Sequence, residues 1–296
     1  MGAIRADSEP LCAKPGWFPV DFGLKDHAIF WNAPYYYLIS TYLPSEDRFA
    51  YARSLDLCNW ETLQPVLSYR APGTWDEYRI WAPFVLEQDG VYYLYYTGVT
   101  QNYTQSILFA TTTNPADPTS WREQGMIFQP AHLGMDWLAG SWADCRDPYV
   151  IVADGIYYLY YTGHDQAGGI VGMASAQAPG GPWQDWGAVL LEGENTPESP
   201  MIIRHGTRYY LFYHHSQSDE YYRIGATPAG PWDAADLFIP GWAHESWRSP
   251  GGEWYTSYLT DYTVSISPLS WDTFFQPPHP FIGGAVYHIY LPSVKR

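Results

Sequence analysis

Three carboxylic acids, Asp26, Asp147 and Glu198, stand far apart in the chain, yet each heads a short apolar run that leads to a tyrosine-rich segment. Asp26-His-Ala-Ile-Phe-Trp31, Asp147-Pro-Tyr-Val-Ile-Val152 and Glu198-Ser-Pro-Met-Ile-Ile203 share this form, and Ala82-Pro-Phe-Val-Leu86 and His244-Glu-Ser-Trp-Arg248 complete a set of five. Asp26 to Leu38, Ala82 to Leu94, Asp147 to Leu159 and His244 to Thr256 are each 12 positions apart, and Glu198 to Leu211 is 13. A fold that gathers these heads would put three carboxyls and one imidazole in a small volume. Like charges at short range raise one another's pKa and cannot all ionise. Stability gives no reason for such a cluster, whereas a site that needs one protonated carboxyl and one carboxylate does. Taken singly, Asp147 before Pro148 and Glu198 after Pro197 read as turn residues at strand starts, and His244 reads as a core histidine. The shared spacing turns the argument toward a site. Asp21, in Val20-Asp-Phe-Gly23, is a second candidate for the first acid, but it lies 17 positions before Leu38 and outside the common register.

The positioning elements repeat. Tyr35-Tyr-Tyr-Leu-Ile-Ser-Thr41, Tyr92-Tyr-Leu-Tyr-Tyr-Thr-Gly98, Tyr157-Tyr-Leu-Tyr-Tyr-Thr-Gly163, Tyr209-Tyr-Leu-Phe-Tyr-His-His215 and Trp254-Tyr-Thr-Ser-Tyr-Leu-Thr260 each follow a turn signal, such as Asp89-Gly90 or Asp154-Gly155. That is the pattern of hairpin second strands. A third strand candidate follows each hairpin, and Trp60, Trp121, Trp183, Trp232 and Trp271 close the five units. Units of this kind predict an all-β five-bladed propeller, with four-stranded antiparallel blades round a central axis. The five fill residues 1–296 as one domain, with 1–20 as an N-terminal extension. Inner strands line the axis, so their heads converge at one face. Most of the 27 Tyr and 15 Trp then pack blade against blade, because large rings with polar tips suit stacked sheets.

Fifteen Lys and Arg against 31 Asp and Glu leave a formal charge of −16. Nucleic acid is thereby excluded as a partner, since phosphate binding needs a basic surface. No apolar run is long enough for a signal peptide or a membrane span, so the chain as given reads as cytoplasmic, or as secreted if a leader has been removed. Cys12, Cys58 and Cys145 match neither a disulfide framework nor a metal-binding spacing.

Trp81-Ala-Pro83, Asp89-Gly-Val-Tyr-Tyr-Leu-Tyr-Tyr-Thr97, Arg146-Asp-Pro148 and Glu198-Ser-Pro200 resemble the five-bladed propeller glycoside hydrolases of families 43, 32 and 68, over nearly the whole chain from about Asp21 onward. The family 43 likeness implies an inverting glycosidase with Asp26 as general base, Asp147 as pKa modulator and Glu198 as general acid, acting on arabinofuranosyl or xylosyl bonds. Family 32 would make Asp26 a nucleophile in a retaining fructofuranosidase. Its Asn-Asp-Pro-Asn opening is absent, as Lys25-Asp26-His27 stands there, and its Glu-Cys pair is Glu198-Ser199. A propeller that binds carbohydrate without catalysis is the alternative of another class. The likeness also implies that His244 holds an axial calcium or a water. No cofactor is required, and a structural calcium is the one candidate.

On this reading Asp147 and partial burial raise the pKa of Glu198 and keep it protonated. Arg146 orients Asp147 by a charge-assisted bond. Trp31, Trp81, Trp142, Arg146 and His244 contact the sugar, because C–H faces pack on rings while hydroxyls need polar partners. The stretch 124–145, with Trp137 and Trp142, forms a pocket wall. His164, His214 and His215, at the outlets of their second strands, are expected at the opposite end from the site.

Overall fold

A computed structural model describes residues 23–67, 71–193, 195–215, 220–239, 241–260, 263–282 and 287–288; Asp21 lies outside them. Blade one comprises β1 (Leu24–Asn32), β2 (Tyr35–Tyr42), β3 (Phe49–Ser54) and β4 (Trp60–Thr62). Blade two holds β5 (Arg79–Gln88), β6 (Val91–Val99), β7 (Gln105–Thr112) and β8 (Arg122–Phe128), and blade three β9 (Cys145–Ala153), β10 (Ile156–Asp165), β11 (Gly168–Ala176) and β12 (Gln184–Gly193). Blade four is β13 (Pro197–His205), β14 (Arg208–His215), β15 (Glu220–Thr227) and β16 (Gly230–Trp232), with β17 (Asp236–Ile239) also on β15. Blade five is β18 (Trp242–Arg248), β19 (Trp254–Thr260), β20 (Thr263–Asp272) and β21 (His279–Ile282), with β22 (Tyr287–His288) also on β20.

All five sheets are antiparallel, in sequence order from the inner strand outward. The inner strands β1, β5, β9, β13 and β18 pack each on the next and β18 returns to β1, which closes the ring. Asp89 and Gly90, like Asp154 and Gly155, both have positive φ. That conformation matches the twist of a tight two-residue hairpin and explains why Asp-Gly stands there.

Tyrosines join the blades in a repeated way. Tyr51 donates to the carbonyl of Pro115 at 2.9 Å, Tyr95 to Pro179 at 2.8 Å, Tyr160 to Pro228 at 2.8 Å and Tyr210 to Pro278 at 2.7 Å. Each bond runs from one blade to the edge of the next, and each ring is buried. Trp271 differs from the expected closing position. It lies on the third strand of its blade and stacks on His205 of blade four at 3.9 Å, so it seals an inter-blade contact.

The cysteines also depart from expectation. Cys58 is disulfide-bonded, its partner lying outside the described residues, while Cys145 is a buried free thiol.

Candidate active site

Each inner strand breaks register at the same place. The breaks fall at Lys25/His27, Trp81/Phe84, opposite Tyr160/Thr162, at Glu198/Met201 and at Trp242/Glu245. The extra residue has positive φ in all five: Asp26, Ala82, Asp147, Ser199 and Ala243. A bulge of this kind re-aims side chains, and it sits beside the axis here. Thr41 accepts from the Ala82 amide at 3.2 Å and Thr97 from the Asp147 amide at 3.0 Å, so blades one and two each hold the bulge of the next.

The ring formed by these bulges corrects the sequence register. Ser199, not Glu198, is the ring member of blade four, and Ala243, not His244, that of blade five. Glu198 stands one residue earlier, in step with Lys25, Trp81, Arg146 and Trp242. All five of those side chains line one cavity of about 210 Å³, and Asp26, Asp147 and Ser199 line it too. The structure thus brings Asp26, Asp147, Glu198, Trp81, Trp142 and Arg146 together.

His244 and Trp31 are not in this cavity. His244 is one residue past the bulge and faces a separate axial space of about 20 Å³, room for one water. Trp31 is five residues along β1 from Asp26, at the hairpin end, where its ring packs on Tyr36 at 4.6 Å. At about 3.3 Å per residue the strand carries it roughly 16 Å away.

The histidine expectation is overturned as well. In an antiparallel hairpin the end of the second strand lies beside the start of the first, so Glu198 pairs with His214 across β13 and β14. His214 Nε2 is 3.3 Å from Glu198 Oε2. His164 Nδ1 is 2.8 Å from Asp144 Oδ2, and His215 lies 3.2 Å from Glu192.

Arg146 links the acids. Its Nη2 donates to Glu198 Oε1 at 2.6 Å, its Nη1 bonds Asp144 and, at 3.3 Å, Gln105, and its Nε is 3.7 Å from Asp147. Its hydrogen bonds therefore go to Glu198 and Asp144 rather than to Asp147, which is oriented instead by the Ser199 amide and the Thr162 hydroxyl, both at 3.0 Å.

Protonation in this pocket also departs from the sequence reading. Burial pushes the Glu198 pKa up, but the His214 bond and the Arg146 charge outweigh it and bring the group down to about 2. Asp26 is raised to about 7: burial is the main cause, Lys25 opposes it, and Asp147 and Glu198 add to it. Sequence reasoning missed Lys25, Asp144, Gln105, His214, Glu220 and Trp242. Trp242 and Lys25 carried a findable signal, since each precedes a ring position as Arg146 precedes Asp147.

The walls are aromatic. Trp142 is 62% exposed at the rim, where it stacks on Tyr103 at 5.2 Å, and the Lys25 ammonium sits 4.7 Å over the Trp81 ring. Lys25 and Trp242 also wall a second cavity of about 380 Å³, lined further by Leu43, Pro44, Glu46 and Arg79.

The Nε2 of His244 has no hydrogen-bond partner, and Asp26, Asp147, Ser199 and Glu245 line the axial space with it. The Nδ1 of His244 lies 2.9 Å from Glu220 Oε2, with both side chains fully buried, and Pro83, Pro148 and Pro200 occupy much of the axial wall. Calcium takes six to eight oxygens, and no cluster of three or more His, Cys, Asp and Glu side chains at metal-binding distance occurs among the described residues.

Fold and pocket define a five-bladed propeller with one acidic, indole-walled cavity on its axis. The model of the glycosyl hydrolases family 43 matches residues 21–264. The chain belongs to that family. It is 28% identical to an arabinan endo-1,5-alpha-L-arabinosidase A of Aspergillus niger over 134 residues, 45% of this chain and 40% of that protein. It is 26% identical to an extracellular exo-alpha-(1->5)-L-arabinofuranosidase of Streptomyces avermitilis over 230 residues, 72% of this chain and 44% of that protein. The chain thus spans less than half the length of these relatives. Among solved structures, a thermostable family-43 glycoside hydrolase superposes with a TM-score of 0.71 at 19% identity, covering 96% of this chain and 100% of that one. An exo-1,5-alpha-L-arabinanase from a bovine ruminal metagenomic library gives 0.69 at 16% identity, covering 89% and 97%.

Proposed function

We propose that this chain is an inverting glycoside hydrolase that cleaves α-L-arabinofuranosyl bonds of a glycan chain. One observation carries the reading: Asp26, Asp147 and Glu198 line a single cavity whose walls are indole rings. In the proposed step Asp26 takes a proton from water, the water attacks the anomeric carbon, and the glycosidic C–O bond breaks as its oxygen takes a proton from Glu198. Asp147 acts on the charge of Asp26 and of His214, the partner of Glu198. Trp81, Trp142 and Trp242 offer faces to the sugar, and Arg146 holds Glu198. Arabinofuranosyl is preferred to xylosyl because the two relatives described above are named as an arabinan endo-1,5-alpha-L-arabinosidase and an exo-alpha-(1->5)-L-arabinofuranosidase.

The second cavity supports a chain as substrate, because it shares Lys25 and Trp242 with the first and would take the next sugar. The Cys58 disulfide supports a working place outside the cytosol, since such bonds persist in oxidising compartments.

A panel of chromogenic arabinofuranosides, xylosides, galactosides and fructosides tests this reading, with NMR of the anomer first released. Arabinofuranoside hydrolysis with inversion, lost in Asp26→Asn and Glu198→Gln, is expected. Retention would instead favour a fructofuranosidase-type mechanism, and binding without turnover a non-catalytic propeller.

A further inference from the structure

Arg146 Nη2 at 2.6 Å and His214 Nε2 at 3.3 Å both contact the Glu198 carboxyl and favour its charged form, so its acid role calls for a neighbour that can supply a proton. His214 is that neighbour, with Nε2 at 3.3 Å in a buried ring. Its Nδ1 has no hydrogen-bond partner. On the far side His214 stands opposite Glu220 in the β14–β15 pair, so the two side chains share a face of the sheet. Glu220 is fully buried, and its Oε2 lies 2.9 Å from His244 Nδ1. A carboxylate placed like this costs stability unless it supports a positive charge nearby.

We propose that His214, with Glu220 behind it, stores the proton that Glu198 delivers. The inference rests on the acid role proposed for Glu198. As the C–O bond breaks, the leaving oxygen takes the proton of the Glu198 carboxyl, and Glu198 draws that proton from His214 Nε2. His214 ends neutral, Glu198 ends ionised and Asp26 holds the proton taken from water. Exchange with solvent then returns a proton to His214 and removes one from Asp26.

The surroundings favour the charged ring. Glu198 of β13, Asp147 of β9, Asp26 of β1 and Glu220 of β15 act on it, and Trp242 of β18 packs at 6.5 Å. His244 and Glu245 of β18 lie against Glu220 rather than the ring. Burial works against a charged His214, but Glu198 and Glu220 prevail and raise its pKa above the ordinary 6.5.

Glu220 is a positioning residue on this account, and His214 the proton store. Glu220→Gln should move the alkaline limb of kcat/KM to lower pH by about one unit on substrates with poor leaving groups. On aryl substrates, which need little protonation, the change should be far smaller. Glu220→Asp should restore most of the shift. A direct NMR titration of the wild-type ring should show His214 charged at pH 6. An unmoved limb in Glu220→Gln, equal losses on both substrates, or a neutral ring at pH 6 would each overturn the proposal. The NMR reading decides if the variant does not fold. Cleavage of poor-leaving-group substrates by Glu198→Gln would instead sink the parent assignment.

Discussion

Arg146 Nη2 lies 2.6 Å from Glu198 Oε1, a contact between neighbouring blades that, together with the His214 bond, holds the Glu198 carboxyl low. The adjacent Asp147 is farther from the guanidinium, at 3.7 Å. Arg146→Met should release Glu198, whose titration then moves up from about 2 toward the ordinary carboxylate range. Catalytic efficiency should fall on the order of 100-fold as the carboxyl loses its position. Arg146→Lys should recover little, because a point charge cannot hold several carboxylates in a planar fork. Carbon-13 NMR of the Glu198 carboxyl reads the shift directly, and an unmoved titration would remove the contact as its cause.

Asp26 titrates at about 7 in the folded chain against an ordinary value of 3.8. Between those values the folded state holds a proton that the unfolded state has lost, so the contribution of Asp26 to stability declines as pH rises through this window. Asp26→Asn should match wild type in Tm near pH 4 and exceed it by about 5 °C at pH 8. Activity should be lost in the variant, and in the wild type kcat/KM should climb as pH passes about 7. A variant no more stable at pH 8 would contradict the raised titration.

Arg79 and Lys25 share the buried carboxylate of Glu46 at the floor of the second cavity, and Arg79 also reaches the Tyr78 hydroxyl at 3.1 Å. The Glu46 backbone is pinned there by bonds to Tyr42 and Ile80, both 2.8 Å. If this floor holds a second sugar, Arg79→Met should reduce kcat/KM on a linear oligosaccharide about tenfold more than on an aryl monosaccharide, the worth of one charged hydrogen bond. Equal effects on both substrates would rule the second sugar out of this cavity.

Tyr160 shows what the inter-blade bonds contribute. Tyr160→Phe leaves the Pro228 carbonyl without its donor at a buried blade contact. A loss of about 1–2 kcal/mol is expected, or roughly 2–6 °C in Tm, with activity at low temperature preserved. Thermal melts monitored by circular dichroism would check this.

Much of the architecture was legible because strands and turns write themselves locally. Asp-Gly at a hairpin needs positive φ, and tyrosine-rich second strands recur because each blade buries the same face. Convergence of Asp26, Asp147 and Glu198 on the axis followed from their place at the heads of inner strands. The 13-residue spacing of Glu198 was already a sign that it stood one residue off the ring, but only the bulge geometry shows that Ser199 takes the ring position. Trp31 misled because closeness in sequence along a strand means distance in space. His214 was placed at the wrong end until antiparallel pairing put it against Glu198.

The amino-acid sequence by itself determined the five repeats, their turns, the acidic surface and the set of acids brought to the centre, since each depends on local pattern and composition. The tertiary structure alone decided which acid keeps its proton. That choice rests on separations of a few ångströms between groups on different blades, and charge interactions scale inversely with distance and with local polarity. Arg146 and His214 at Glu198, burial at Asp26, and Glu220 behind His214 have no signature along the chain, because their effects exist only once the ring of blades has closed.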